Sequence, residues 1–225
     1  MNQDTIFWDG EGDGWYERNK QVLAVKNDTG DPIMQTIEQS GLSFSNILEV
    51  GASNGFRLHL LHKKYGCPVT AVEPSAKAIA EGKKSYPEVA FHRGTAAELP
   101  SDLEGMFDLV VVNFVLHWVD RKSPFRSVAN IDAMLADRGH LVVGDFYPEA
   151  PQRTAYHHLP GQDVWTYKQN YAELFTATRL YQETGFEVFA HDSRQRTSDA
   201  DPDNRAFVSV LRKDLVGGYP IRSLD

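Results

Sequence analysis

A chain of 225 residues with 41% apolar and 24% charged side chains supports one sizeable globular domain with a real core, and is too short for two. A formal charge of −8, with no stretch that concentrates lysine and arginine, argues against nucleic acid as a partner. One cysteine, Cys67, excludes an intramolecular disulfide and a cysteine-based metal cluster, and no metal site is expected.

The N-terminal MNQDTIFWDG lacks the basic and apolar regions of a signal peptide, so a cytoplasmic protein is expected. FWDGEGDGWYERNKQVL sets acids and glycines between tryptophans and a tyrosine, the texture of a segment that caps a core or lies over a site; residues 1–45 are read as a helical cap. From about residue 46 short β-branched runs alternate with longer amphipathic ones. NILEV, PVTAV, VAFHR, FDLVVVN and HLVVGDF read as strands, and FRLHLLHKKYG, SAKAIAEGKKS and SPFRSVANIDAMLADRG as helices between them. That order predicts an α/β fold, a doubly wound Rossmann-like sheet, mostly parallel, with helices on both faces. Cys67 precedes Pro68 at a strand start and reads as a small buried or edge residue. The apolar run FDLVVVNFVLHWV is too short and too interrupted to span a bilayer, so no membrane partner is expected.

After Phe146 the texture changes. YPEAPQRTAYHHLPGQDVWTYKQ is rich in proline, aromatics and histidine and reads as a long irregular insert, residues 147–170. Long structureless loops in compact domains are usually functional or disordered, and this one is too aromatic for disorder. A helix over NYAELFTATRLYQETG and two strands, FEVFAHD and RAFVSVLRK, complete residues 171–225, the strands closing the sheet as an antiparallel, hairpin-like edge. The whole chain is read as a single domain.

The first strand runs into Gly51, Ala52, Ser53, Asn54 and Gly55 before a helix. In a doubly wound sheet ligands sit at such strand ends, where small residues let a ligand reach the backbone and the helix start offers unpaired N–H groups. A glycine pair in a strand-to-helix turn is equally explained by turn chemistry alone. Glu73 favours the ligand reading: it ends the second strand 18 residues after Gly55, near the ~20-residue spacing at which an acid meets ribose hydroxyls. Its other readings are a solvated strand end, or an acid in the N-cap region of the helix starting near Ser75. A dinucleotide fingerprint would place glycines where Ser53 and Phe56 stand, so the turn argues against NAD and FAD and suits an adenosine cofactor without a pyrophosphate.

These stretches resemble a class I S-adenosylmethionine-dependent methyltransferase of the small-molecule type over roughly residues 45–146. EVGASNG resembles motif I, with Glu49 at the methionine end, and Glu73, followed by Pro74, matches the ribose-binding acid. FHRGTAAELP resembles the adenine segment, FDLVVVNFVLHWV motif IV, and AMLADRGHLVVGDF the later helix–strand element. The resemblance implies S-adenosyl-L-methionine as cofactor and S-adenosyl-L-homocysteine as product. It places Glu49, Gly51, Ala52, Ser53, Asn54, Gly55, Glu73, Pro74, Thr95, Ala96, Ala97, Asn113, Phe114 and Val115 around the cofactor. Two positions depart from the pattern: Ser53 replaces the middle glycine, and Thr95 the aspartate that reaches the adenine amino group, which leaves adenine to backbone groups near Ala96 and Ala97 or to the Thr95 hydroxyl.

His117, four residues beyond Asn113, is the candidate base, with a packed, hydrogen-bonded histidine as the equal alternative. The small-molecule acceptor is expected against residues outside the Rossmann core: Trp15, Tyr16, Trp118, Tyr147, Tyr156, His157 or His158, and Tyr171. Trp118 also reads as core or wall. The adjacent histidines, if extended, point to opposite faces, so one of them at most is expected to line a pocket. Glu11 and Asp13 read either as acceptor contacts or as a solvated loop. No N-P-P-Y or D-P-P-Y follows the fourth strand, and only Asp120 stands near motif IV for a metal. The N-terminal and insert stretches resemble bacterial methyltransferases of biosynthetic clusters, which implies O-methylation of a sugar or a similar metabolite. N- or C-methylation and a non-catalytic SAM-binding protein remain the alternatives, and the likeness is compatible with a homodimer.

Overall fold

The computed structural model describes residues 2–25, 30–197 and 201–222. Ahead of the sheet come the short helix α1 (Gln3–Ile6), an irregular turn (Phe7–Glu11), α2 (Gly12–Ala24) and α3 (Pro32–Gln39). Then β1 (Ile47–Val50), α4 (Phe56–Tyr65), β2 (Val69–Glu73), α5 (Ala76–Ser85), β3 (Val89–Arg93), β4 (Phe107–Asn113), α6 (Pro124–Met134) and β5 (Leu135–Phe146) alternate. β6 (Gln152–Ala155), β7 (Trp165–Lys168), α7 (Glu173–Thr176), β8 (Tyr181–Ala190) and β9 (Arg205–Lys213) follow. One seven-stranded sheet has the order β3-β2-β1-β4-β5-β9-β8; β6 and β7 form a separate pair. β1 to β5 run parallel, and β9 enters antiparallel against β5. Among the described residues no helix is long and apolar enough to cross a membrane.

Every residue of β1 and β2 is buried, as the continuous apolar runs demand of strands covered on both faces. Alternate side chains divide the core in two. Leu48, Val50, Val110 and Val112 pack with Ile131 and Met134 of α6, while Ile47, Leu109 and Val111 pack with Ile33 and Ile37 of α3 and Leu58 and Leu61 of α4. Each such side chain contributes about 1.5–3 kcal/mol. Strand order reverses at β1, with β2 on one side and β4 on the other, so the crevice at their carboxyl ends is where a ligand site is expected. Cys67 is buried in the second cluster, just before β2, and burial raises its thiol pKa.

Three elements differ from the sequence expectation. The helix expected over 170–185 is the single turn α7: Arg179 takes a left-handed φ of 64°, the Thr178 hydroxyl donates to the Phe175 carbonyl at 2.6 Å, and Tyr181 already pairs with Lys213. The helix expected to reach Gly139 stops at Met134, because Leu135 joins the sheet opposite Phe107 and Arg138 turns left-handed (φ 68°) where the register shifts. The insert is not wholly irregular, since Gln152 to Ala155 pair antiparallel with Lys168 to Trp165.

Candidate active site

A cavity of about 760 Å³ opens at the carboxyl ends of β1, β2 and β4. Its floor is the turn after β1. Gly51 sits at φ +74°, and a Cβ there would lie 2.2 Å from Cγ2 of Val115, so only glycine lets the ends of β1 and β4 approach. Gly55, at φ +77°, caps α4, and a Cβ on it would meet the Phe91 ring at 2.7 Å. Ser53 keeps the left-handed conformation of the missing glycine, φ 52°, at a cost of about 1–2 kcal/mol for an L-residue. This bend aims its N–H at Oε2 of Glu73, 2.7 Å away. Phe114, at φ 54°, is a second strained residue on the wall. Strain of this kind collects at functional sites.

Glu73 is almost fully buried, and its Oε1 accepts from the N–H of Ser75 at 2.9 Å. Burial pushes its pKa up to about 7, against the two backbone donors, which lower it. Each oxygen retains a lone pair for a further donor. Glu49 also reaches the cavity, but its Oε1 is taken by an ion pair with Nη1 of Arg57. Arg57 turns its other edge to Asp31, with Nη2 2.9 Å from Oδ2. Asp31 in turn caps α3, accepting from the N–H groups of Ile33 at 3.0 Å and Met34 at 3.2 Å. The carboxylates keep the Arg57 guanidinium charged although it is wholly buried.

On the opposite side of the cavity β4 leads into His117, which is 2% exposed. Its Nδ1 lies 2.8 Å from Oδ1 of the fully buried Asp145 at the end of β5. The contact is off the hydrogen-bond line, and Nδ1 is buried without a hydrogen-bond partner. The His117 N–H also donates to Oδ2 of Asp145 at 3.3 Å. Nδ1 faces Asp145, and Nε2 is the nitrogen left for the cavity. Aromatic rings enclose this end: Phe146 lies 5.0 Å from His117 by ring centroids, Trp118 4.3 Å, and Phe7 stacks on Trp118 at 5.0 Å. Trp118 holds its Nε1–H buried without a partner.

The N-terminal segment and the insert form the far wall, supplying Asp4, Phe7 and Trp15 from one and Tyr156, His157, His158 and Thr166 from the other. Gln3 ties them down: its amide donates to the carbonyls of Trp118 and Trp165 at 2.7 and 2.8 Å and accepts from the Trp165 N–H at 2.9 Å. Tyr156 donates its hydroxyl to Glu11 at 2.6 Å and accepts from Arg18 at 3.0 Å. Asp13 accepts from the Ser75 hydroxyl at 2.6 Å and the Lys77 N–H at 3.0 Å. Both acids are thus committed to internal contacts rather than to a solvated loop.

The cavity walls bring together Glu49, Gly51, Ala52, Ser53, Glu73, Pro74, Thr95, Ala96, Asn113, Phe114, Val115, His117, Trp118, Trp15, Tyr156 and His157. Asn54, Gly55 and Ala97 lie behind the surface; the Asn54 side chain accepts from the Phe56 N–H at 3.3 Å. Three expected acceptor contacts sit elsewhere. Tyr16 packs with Leu23, Phe56 and Ala78, Tyr147 meets Phe186 edge-on and Phe207 at a tilt, and Tyr171 is buried in the core with its hydroxyl donating to the Tyr167 carbonyl at 2.7 Å. Aromatic character marked them, but their burial on the core side of their elements was hidden. His157 and His158 both line the cavity, because they stand in a turn with ring centroids 3.9 Å apart rather than on an extended strand. Reading from sequence missed Asp31, Arg57, Asp145, Phe146, His191 and Arg194; only Asp145, an acid inside the apolar run HLVVGDF, carried a local signal. Among the described residues no group of three metal-binding side chains occurs.

Residues 48–143 match the family model of a methyltransferase domain. No curated protein matches the chain. Among solved structures, the fold is similar to 1,6-didemethyltoxoflavin-N1-methyltransferase of Burkholderia thailandensis, solved with 1,6-didemethyltoxoflavin and S-adenosylhomocysteine bound; identity is 19%, coverage 88% of this chain and 84% of that one, TM-score 0.64. It is also similar to a SAM-dependent methyltransferase of Methanosarcina mazei, at 16% identity, 82% and 98% coverage and TM-score 0.63. A Thermotoga maritima methyltransferase described as a possible histamine N-methyltransferase matches at 17% identity, 93% and 99% coverage and TM-score 0.60.

Proposed function

We propose that residues 48–143, which match the model of a methyltransferase domain, form a class I, S-adenosylmethionine-dependent domain, and that the chain methylates a small-molecule acceptor held against the aromatic end of the cavity, with His117 as the base. The observation that carries this reading is the joining, in one cavity, of the glycine turn, Glu73 and the His117–Asp145 pair. The walls fit the cofactor. Gly51 leaves backbone surface that a Cβ would fill, Glu73 has lone pairs for two ribose hydroxyls, and the Ser53 hydroxyl is buried without a partner. Ala52, Thr95, Ala96, Asn113, Phe114 and Val115 would complete its surroundings.

When bound, S-adenosylmethionine supplies an electrophilic methyl on a sulfonium. The chain then has to align the acceptor and exclude water, which is worth several kcal/mol. The N-terminal cap, residues 1–45, and the insert, residues 147–170, do the second, since Phe7, Trp15, Tyr156 and His157 roof the cavity. His117 Nε2 takes the acceptor proton, and Asp145 holds the ring and offsets the charge it gains. A hydroxyl acceptor needs that base most, which supports O-methylation; a sugar hydroxyl from a biosynthetic metabolite remains the finer form of this reading.

Glu73 gives the reading a pH signature. Its carboxylate must be ionised to accept both hydroxyls, so affinity for S-adenosylhomocysteine is expected to fall about tenfold between about pH 8 and about pH 6, with proton release on binding near pH 7. The unliganded fold has the opposite sign: a carboxyl raised from 4.5 to about 7 stabilises the fold while protonated, fully below 4.5, and that stability is lost as pH rises through about 7. Calorimetry across this range checks both, and an affinity independent of pH would remove Glu73 from the ribose. Activity itself is tested by incubating the protein with methyl-labelled S-adenosylmethionine and a panel of hydroxyl, amine and carbon acceptors. Mass gain of one methylene unit on a hydroxyl acceptor is the expected result. Cofactor binding with transfer to none of them would leave a non-catalytic binding protein.

A further inference from the structure

Two cations at the acceptor end have no role in the chemistry above. Arg194, beyond β8, lines the cavity half-buried and places its guanidinium 5.4 Å over the Phe114 ring. Lys168, at the end of β7, places its ammonium 4.5 Å over the Phe146 ring. The two rings lie 5.1 Å apart, and His191 sits against both, at 5.1 and 5.0 Å. Among the described residues neither cation has a carboxylate partner within ion-pair distance.

The arrangement is costly in two ways. A half-buried guanidinium with no carboxylate in direct contact, only Asp31 and Asp192 acting on it from further off, has lost part of its hydration. Arg194 also holds a left-handed φ of 60°, which an arginine adopts only at a cost of about 1–2 kcal/mol. Such a residue is retained where something repays it. Arg194 and the His117 and His191 rings gather around Phe114 and Phe146 on the wall, with Lys168 over the Phe146 ring, while Glu49 and Asp31 are already paired with Arg57. Asp192 also reaches the wall; its carboxylate accepts from the Ser193 N–H at 2.5 Å and acts on Arg194 by charge without an ion-pair contact. His191 is kept neutral, its pKa pushed down to about 4 by burial and by the Arg194, His117 and Lys168 charges.

Resting on the methyltransferase reading, we infer that the acceptor carries an anionic oxyacid group, a carboxylate or a phosphate, which Arg194 receives in a forked contact and Lys168 supports as a point charge. An arginine is suited to this because its planar fork matches carboxylate and phosphate oxygens. The anion sits beside the same two phenylalanine rings that border His117, so the group that anchors the acceptor also presents it to the base. A neutral acceptor of the same shape leaves the guanidinium unpaired and is rejected.

The test uses the full chain saturated with S-adenosylhomocysteine and titrated with benzoate, phenyl phosphate and the neutral benzyl alcohol, read by calorimetry and by tryptophan fluorescence from Trp118. At least one anion is expected to bind about tenfold or more tightly than benzyl alcohol, and which one it is separates a carboxylic acid from a phosphate ester. Arg194→Gln is expected to abolish that preference with S-adenosylhomocysteine affinity unchanged, Arg194→Lys to restore part of it, and Lys168→Gln to weaken it. Equal binding of the three probes, or a preference that survives Arg194→Gln, overturns the inference. A loss of S-adenosylhomocysteine affinity in Arg194→Gln overturns it too, by assigning the cation to the cofactor. If the unaltered protein does not bind S-adenosylhomocysteine at all, the methyltransferase reading itself has failed.

Discussion

His117→Ala is expected to lower kcat for a hydroxyl acceptor by about 10²–10⁴, the usual worth of a positioned base, with S-adenosylmethionine affinity unchanged. Asp145 lies 2.8 Å from Nδ1 on the core side of the ring, so Nε2 is the nitrogen turned to the cavity. A histidine serving only as packing would not need a fully buried carboxylate behind it. Asp145→Asn should act through the ring, reducing kcat while leaving the KM for the acceptor near its original value, and should shift the pH profile of kcat, because the charge that stabilises the imidazolium is gone. Single-turnover transfer measured across pH separates the two variants. Full activity in His117→Ala removes it as base and leaves it as a wall of the cavity.

Arg57→Leu is expected to destabilise the fold by about 3–5 kcal/mol, the cost of stranding buried charge when one partner of an ion network is removed. That is a large share of a typical domain stability of about 5–15 kcal/mol. Glu49, Asp31 and Arg57 are all buried, and Arg57 is the cation bridging the two acids, one on β1 and one at the start of α3. Its removal leaves two carboxylates in the core and loosens the cap of α3. Urea unfolding followed by circular dichroism reads the effect as a lowered midpoint. Arg57→Lys should be intermediate, retaining charge but not the fork that spans Asp31. An unchanged midpoint in Arg57→Leu would mean that the network contributes nothing net.

The central layer of the fold was legible because its signals are local. ILEV and FDLVVVN are mostly branched apolar residues on both faces, the signature of covered strands, and the small-residue turn at Gly51 to Gly55 and the acid at Glu73 lie where strand ends must put them. Legibility failed where pairing is distant. Tyr181 belongs to β8 because Lys213 is there to receive it, and the β6–β7 pair joins Ala155 to Trp165 across a loop whose Pro160-Gly161 turn does not say which segments it pairs. The site divides in the same way. His117 could be proposed from its distance to the fourth strand, but its partner Asp145 lies 28 residues on, and Arg194 arrives from beyond β8. Tyr16, Tyr147 and Tyr171 show the converse: aromatic residues in suggestive stretches that the fold spends on its core.

The most direct test is a calorimetric titration of the protein with S-adenosylmethionine, S-adenosylhomocysteine and NAD, repeated with Glu73→Ala. The adenosyl pair should bind and NAD should not, since the turn carries Ser53 and Phe56 where a dinucleotide fingerprint carries glycine. Glu73→Ala should weaken the pair by about 1–3 kcal/mol, through hydrogen bonds left unmade. Binding of NAD without the adenosyl pair would contradict the account.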